Sequence, residues 1–302
     1  MDTTIARQVG GSALGPGRRP DLPVVFLHIG KTAGSTLATI LGRYYTREET
    51  FQIYPKRYHD TLDALTSLPA ARRAEIRLLK GHLPFGVHEH LPTPATYVTM
   101  LREPVDRVVS LYYFARRVPK HYLHQPIVRG NLDIERYVSS GLSWEMDNGQ
   151  LRVLTGHLHD IAIGGCTRVL LDEAKRNIIQ HFSVVGLSGR FDESVLLTKH
   201  RLGWKGFPVY RRKNVTVGRP TTDRLSKSEL AAIRKHNELD EELYEWVSAR
   251  FQREWEAEAL DTQLKAFRAT NAMYQSYGAA RGMAGRLLAA IGLRHPVTQA
   301  GT

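Results

Sequence analysis

The 302-residue chain has a single cysteine, Cys166. One thiol cannot build an intrachain disulfide framework, and it excludes a cysteine-based metal site. Long apolar runs are also missing. The longest stretch, 287–293, contains Gly292 and falls far short of the roughly 20 residues that span a bilayer. The first twenty residues hold four Gly, two Pro and three Arg but lack the apolar core of a secretory signal, so they read as a flexible leader. Acidic residues are scarce relative to basic ones: 30 Asp and Glu against 42 Lys and Arg leave a formal charge of +12. That excess points to an anionic partner without choosing among nucleotide, nucleic acid, acidic glycan and membrane surface.

The remainder is an ordinary globular mixture, 42% hydrophobic and 24% charged, sufficient to bury a core in one large domain or two small ones. We expect a leader over 1–20, a globular domain over 21–260 and a helical extension over 261–302. From about Gly278 the tail mixes small residues with Leu, Ile, Arg281, Arg286 and Arg294. It reads as a helix docking on the body, with peripheral membrane contact through a basic face as the alternative.

Leu22 to Ile29 is a short apolar run rich in β-branched residues, the pattern of a buried strand in a parallel sheet. It enters a glycine-bearing loop, and apolar Leu37, Ile40, Leu41 and Tyr44 then follow at helical spacing. Thr96 to Leu101 reads as a second strand, followed by Arg102, then Pro104 in a first helical turn, then Val105, Val108, Val109 and Tyr112. A helix with Leu171, Ala174, Ile178 and Phe182 leads into a strand over 183–187. Ser226 and Glu229 fit a capping box, 237–240 reads as an interruption, and a further helix carries Leu243, Trp246, Val247 and Phe251. Strands alternating with helices predict an α/β fold of three layers, a central parallel sheet flanked by helices.

The loop between the first strand and helix is Gly30-Lys31-Thr32-Ala33-Gly34-Ser35-Thr36. A helix N-terminus there offers unpaired N–H groups and a positive dipole end. Gly30 and Gly34 allow close backbone approach, Ser35 and Thr36 add hydroxyls, and Lys31 adds charge. Together these suit a phosphate group. The lysine precedes the second glycine, so this is not the Walker A order of nucleotide triphosphatases.

Phe26 to Leu37 resembles the 5′-phosphosulfate loop of sulfotransferases that use 3′-phosphoadenosine 5′-phosphosulfate (PAPS). It is closest to the glycan O-sulfotransferase branch that includes heparan sulfate 2-O-sulfotransferase. That branch often has Pro at the position of Gly30, and Thr-Ser where this chain has Ser35-Thr36. Leu101 to Phe114 resembles the family's 3′-phosphate motif, with Arg102 at a strand end and Ser110 eight residues on. Arginine suits that place because its guanidinium is a permanently charged, bidentate clamp. Looser similarity runs through 184–194, 212–216 and 236–244.

The resemblance implies a P-loop NTPase-like sulfotransferase fold and an enzyme that moves a sulfuryl group from PAPS to an acceptor hydroxyl by in-line displacement. It assigns the 5′-phosphosulfate to Lys31, Thr32, Ala33, Gly34, Ser35 and Thr36, and the 3′-phosphate to Arg102 and Ser110. Lys31 would neutralise charge on the leaving group. The general base is expected at His82. In the 2-O-sulfotransferases the second histidine of a His-Gly-His run corresponds to His82, whereas the first is replaced here by Lys80. His88, Glu89 and His90 are rival bases, and His28 reads as a packed histidine. No metal is expected. The acceptor is expected to carry a hydroxyl, a glycan being favoured over a lipid or small metabolite, with no nucleic-acid partner and a cytoplasmic location. Tyr112 to Arg129 can line the acceptor groove. A nucleotide-dependent kinase using Asp172, and a non-enzymatic basic binder of nucleic acid or membrane, remain as alternatives.

Overall fold

The computed structural model describes residues 19–211 and 222–290, with side chains as far as Tyr277. The segment 212–216 and the side chains of the basic tail lie outside the described residues. Strand β1 (Val24–Leu27) leads to helix α1 (Gly34–Leu41), edge strand β2 (Thr50–Ile53), helices α2 (Tyr58–Thr66) and α3 (Ala70–Ala74), and β3 (Leu78–Gly81). Strand β4 (Thr96–Leu101) is followed by α4 (Pro104–Arg117), α5 (His124–Arg129), α6 (Ile134–Ser139), α7 (Gly149–Thr155) and α8 (Arg168–His181). Strand β5 (Phe182–Leu187) and α9 (Phe191–Leu202) complete the sheet region, and α10 (Lys227–His236), α11 (Glu238–Glu258) and α12 (Asp261–Ala290) follow.

The five strands form one parallel sheet in the order β2-β3-β1-β4-β5, flanked by helices, as the alternation of strand and helix patterns predicts. Every residue of β1, β4 and β5 is buried. This is why their sequences are mostly apolar rather than alternating, with Thr96, Thr99 and Ser183 the buried polar exceptions. Gly81, the last residue of β3, has a structural reason for lacking a side chain. A Cβ there would lie 2.2 Å from the Ile53 carbonyl oxygen of β2.

The order fixes where a ligand can sit. Strands β3, β1 and β4 are adjacent and run the same way. Their C-terminal ends, at Gly81, Leu27 and Leu101, therefore share one edge of the sheet. The chain leaves β1 toward the β3 side and leaves β4 toward β5, so the order reverses between β1 and β4. In open parallel sheets ligands bind in the crevice beyond the strand ends at such a point.

A large core cluster surrounds the sheet and extends to Leu264 and Phe267 of α12. A second cluster, including Val108, Ile127, Tyr137 and Ile233, joins α4, α5, α6 and α10. Among the described residues no helix is long and apolar enough to cross a membrane.

Several boundaries differ from expectation. Strand β1 is shorter than 22–29 because the chain peels away after Leu27, although the His28 N–H still reaches the Gly81 carbonyl at 2.9 Å. Strand β2, half-buried at the sheet edge, lacks the apolar run that marks the others. The interruption at 237–240 shrinks to Asn237. The Asn148 side chain accepts hydrogen bonds from the N–H groups of Leu239 and Asp240, starting α11 early and placing buried Asp240 inside it. His88, Glu89 and His90 lie in a 3-10 turn, Val87–His90.

Candidate active site

The loop after β1 is held in an unusual backbone form. Lys31 and Ala33 have φ of 70° and 67°, and Thr32 between them does not have positive φ. Two non-glycine residues in the left-handed region cost on the order of 1 kcal/mol or more each. The alternation aims successive N–H groups to one side, as in the anion-binding nests of phosphate loops. Among the described residues, no acceptor is found for the N–H groups of Ala33, Gly34 and Ser35. Helix α1 has no side-chain cap and no acidic residue in its first turn. Its positive end is therefore available to an anion.

The expected ligands of the loop divide. The Ser35 side chain is partly exposed and its hydroxyl makes no hydrogen bond among the described residues. Thr36 is buried in α1, and its N–H donates to Ala33 at 3.1 Å. The Thr32 side chain is fully buried and its hydroxyl donates to the Ile29 carbonyl at 2.9 Å. Thr32 closes the loop from within and offers a ligand only its backbone.

Arg102 follows the last residue of β4, on the same edge of the sheet. Its guanidinium donates to the Lys31 carbonyl at 3.0 Å and to Asp106 at 2.7 Å, with a second contact to Asp106 of 2.6 Å. Asp106, Ser110 and Phe114 are spaced by four along α4 and share one face of it. The Lys31 ammonium lies 3.8 Å from the centre of the Phe114 ring, one turn beyond Ser110. The loop and the start of α4 thus meet through Arg102 at one end and Lys31 at the other, on the stripe that carries Ser110. A cation–π contact of this kind is worth about 0.5–2 kcal/mol, weak enough for an anionic oxygen to draw the ammonium away.

His82 follows β3 directly. The residue is exposed, and its ring stacks on His28 with centroids 4.0 Å apart. Crowding by protein lowers the His82 pKa, against an opposing pull from the Glu145 carboxylate. The imidazole is thereby kept neutral near pH 7, the form that accepts a proton. His28 is more than a packed histidine. Burial first, then the neighbouring His82 and Lys31, push its pKa down to about 3. Its ring also occupies the space beside Gly34, where a Cβ would lie 2.0 Å from the ring. Gly34 is required because His28 fills the place of a side chain.

The rival bases fall elsewhere. His88 bonds the Tyr97 hydroxyl at 2.9 Å, near the start of β4 and at the opposite end of that strand from Arg102. Asp172, the magnesium ligand of the kinase alternative, sits inside α8 and not at a strand end. In the basic stretch 112–129, Tyr112 is buried and donates to the Leu132 carbonyl at 2.8 Å, and Arg116 donates to Tyr112 at 3.1 Å. Tyr112 points into the helix packing, whereas Arg116 is exposed. Tyr122 remains exposed.

Sequence reasoning missed Glu145. Its carboxylate lies 3.3 Å from where a Gly30 Cβ would project, and it accepts a hydrogen bond from Tyr122 at 2.8 Å. It reaches the site from the 3-10 turn Trp144–Met146, a segment with no motif.

The sequence profile of the Galactose-3-O-sulfotransferase family matches residues 3–291. The chain belongs to this family. Galactose-3-O-sulfotransferase 3 of Mus musculus is 26% identical over 256 residues, covering 79% of this chain and 58% of the relative. Galactosylceramide sulfotransferase of Homo sapiens is 27% identical over 253 residues, 79% of this chain and 59% of the relative. Heparin sulfate O-sulfotransferase of Drosophila melanogaster is 27% identical over 168 residues, 52% of this chain and 48% of the relative. This member of the galactose-3-O-sulfotransferase family therefore spans under two thirds of the length of the curated relatives it matches.

Proposed function

We propose that the chain is a sulfotransferase that carries a sulfuryl group from PAPS to a hydroxyl of a glycan or glycolipid acceptor. One observation carries this reading. Arg102, at the end of β4, is hydrogen-bonded to the carbonyl of Lys31 in a loop whose Ala33, Gly34 and Ser35 N–H groups meet no acceptor among the described residues, which supports a pair of anion sites side by side. A donor with phosphate groups at both ends of its adenosine needs such a pair. Membership of the galactose-3-O-sulfotransferase family supports it, as does the relatives' naming for galactose, galactosylceramide and heparin sulfate.

In this reading the N–H groups of Ala33, Gly34 and Ser35 and the Ser35 hydroxyl hold the 5′-phosphate, while Arg102 and Ser110 hold the 3′-phosphate. His82 takes the proton from the acceptor hydroxyl as its oxygen attacks sulfur. The new O–S bond forms as the bond from sulfur to the bridging phosphate oxygen breaks, and 3′-phosphoadenosine 5′-phosphate (PAP) leaves. Lys31 moves from Phe114 to the bridging oxygen, where negative charge builds, which is the electrostatic help that group transfer requires. Imidazolium formed on His82 is stabilised by Glu145. His28, neutral throughout, keeps the His82 ring in place without adding charge. The test is transfer of ³⁵S from labelled PAPS to a panel of galactosides, galactolipids and heparan fragments. Label on at least one class, lost in His82→Ala, is expected. Absence of transfer to every hydroxyl acceptor would count against the reading.

A further inference from the structure

Arg102 lies just past the last residue pair of the β4–β5 ladder, Leu101 with Leu187. Its backbone N–H and C=O therefore need partners outside the sheet. One side chain supplies both. The Gln150 Oε1 accepts from the Arg102 N–H at 2.9 Å, and the Gln150 Nε2 donates to the Arg102 carbonyl at 2.9 Å. Gln150 is fully buried, so neither bond competes with water.

Gln150 is itself held from two directions. The N–H groups of Gln150 and Leu151 donate to the two carboxylate oxygens of Asp240, at 3.0 and 2.7 Å. Asp240 is fixed in turn by its own N–H on the Asn148 side chain at 3.0 Å. The neighbour, Gly149, lacks a side chain where a Cβ would lie 2.5 Å from the buried Arg107 guanidinium. A continuous polar chain thus runs from α11 through Asp240 and α7 to the backbone of Arg102.

We propose that Gln150 is a positioning residue that fixes the Arg102 backbone, aims its guanidinium at the 3′-phosphate, and so sets the preference for 3′-phosphorylated adenine nucleotides. The inference rests on the assignment of Arg102 made under Proposed function. Arg102 is a long side chain on the last turn of chain before a helix, and its reach is only as accurate as its base. None of the clamp's own bonds involve residues 30–36, so it reaches the 5′-phosphate loop through the Arg102 bond to the Lys31 carbonyl. A general packing role for Gln150 would weaken all nucleotides alike, whereas a positioning role weakens only those carrying a 3′-phosphate.

The experiment compares affinities for PAP and adenosine 5′-phosphate in the wild type, Gln150→Met, Arg102→Ala and the double variant. Methionine keeps the volume and removes both hydrogen bonds. In Gln150→Met the preference for PAP falls about tenfold, as expected for a misaimed charged group, with adenosine 5′-phosphate affinity within about twofold of wild type. In the Arg102→Ala background the same change has no further effect on the preference, because the two residues act as one unit. Gln150→Asn, which keeps the amide on a shorter stem, gives an intermediate loss and tests the idea if the methionine variant does not fold. Retained preference in the variants, equal loss for both nucleotides, or an undiminished effect without Arg102 would overturn the inference. A wild type with no preference for PAP would instead overturn the assignment of Arg102 beneath it.

Discussion

The Arg102 guanidinium donates a hydrogen bond to the backbone carbonyl of Lys31 at 3.0 Å, joining residues 71 positions apart in the chain. Each belongs to a different β-α unit, and each lies beyond the C-terminal end of its strand. The parallel sheet brings them together, since β1 and β4 are direct neighbours with Leu27 opposite Thr99. The bond ties the loop after β1 to the start of the segment after β4.

Removing the clamp tests that coupling first. Arg102→Ala is expected to weaken PAP binding by about 10- to 100-fold, the range for losing a hydrogen-bonding charged partner. Adenosine 5′-phosphate should lose no more than a few-fold, through the lost contact to Lys31. Calorimetric titration of both ligands reads the difference, and equal losses would remove Arg102 from the 3′ position.

Substituting the base separates chemistry from binding. His82→Ala should reduce turnover by about 10²- to 10⁴-fold while PAP affinity stays close to wild type. In the wild type, kcat/KM should fall on the acid side only below the ordinary histidine range, because crowding lowers the His82 pKa. A pH–rate profile with its acid limb well above pH 6.5 would contradict this direction.

Glu145 opposes that lowering, so its removal has a defined sign. In Glu145→Gln the His82 pKa drops further, and the acid limb of the profile moves to lower pH. A limb that moves upward, or stays fixed, would take Glu145 out of the electrostatics of the base.

Gly34→Ala probes the packing beneath the site. The added methyl would meet the His28 ring at 2.0 Å, and displaced His28 no longer backs His82. Overpacking of this kind costs about 1–3 kcal/mol. Lower thermal stability together with slower turnover is expected, and a variant with wild-type values in both would show that the contact is easily relieved.

His28 also predicts how stability depends on pH. Its folded pKa, about 3, lies below its ordinary value near 6.5, so between those values the unfolded chain binds the extra proton. Its contribution is full above about pH 6.5 and is lost as pH falls toward 3. Chemical denaturation at several pH values should show a shallower acid decline in His28→Asn than in the wild type.

The strands buried on both faces were legible because β1 is a continuous apolar run and β4 and β5 are mostly apolar, with only Thr96, Thr99 and Ser183 polar. Strand β2 was not, since its short edge segment is only half-buried and carries no such run. The loop around Lys31 was legible because strand, loop and helix follow one another locally, whereas the pairing of Arg102 with Ser110 comes from the family resemblance and belongs to the proposal. The inward turn of the Thr32 hydroxyl was not legible, because a hydroxyl in such a loop can face inward as well as outward and only the fold decides. Glu145 and Gln150 were invisible for a different reason. They arrive from a helical excursion after α4 and act through tertiary contacts that no spacing in the sequence encodes.

The most direct measurement is a crystal structure with PAP bound. The 5′-phosphate should rest on the N–H groups of residues 33–35 with Lys31 beside it, and the 3′-phosphate should lie between Arg102 and Ser110 on the same molecule. A nucleotide bound elsewhere, or one that leaves Arg102 engaged only with Asp106 and the Lys31 carbonyl, would contradict the account.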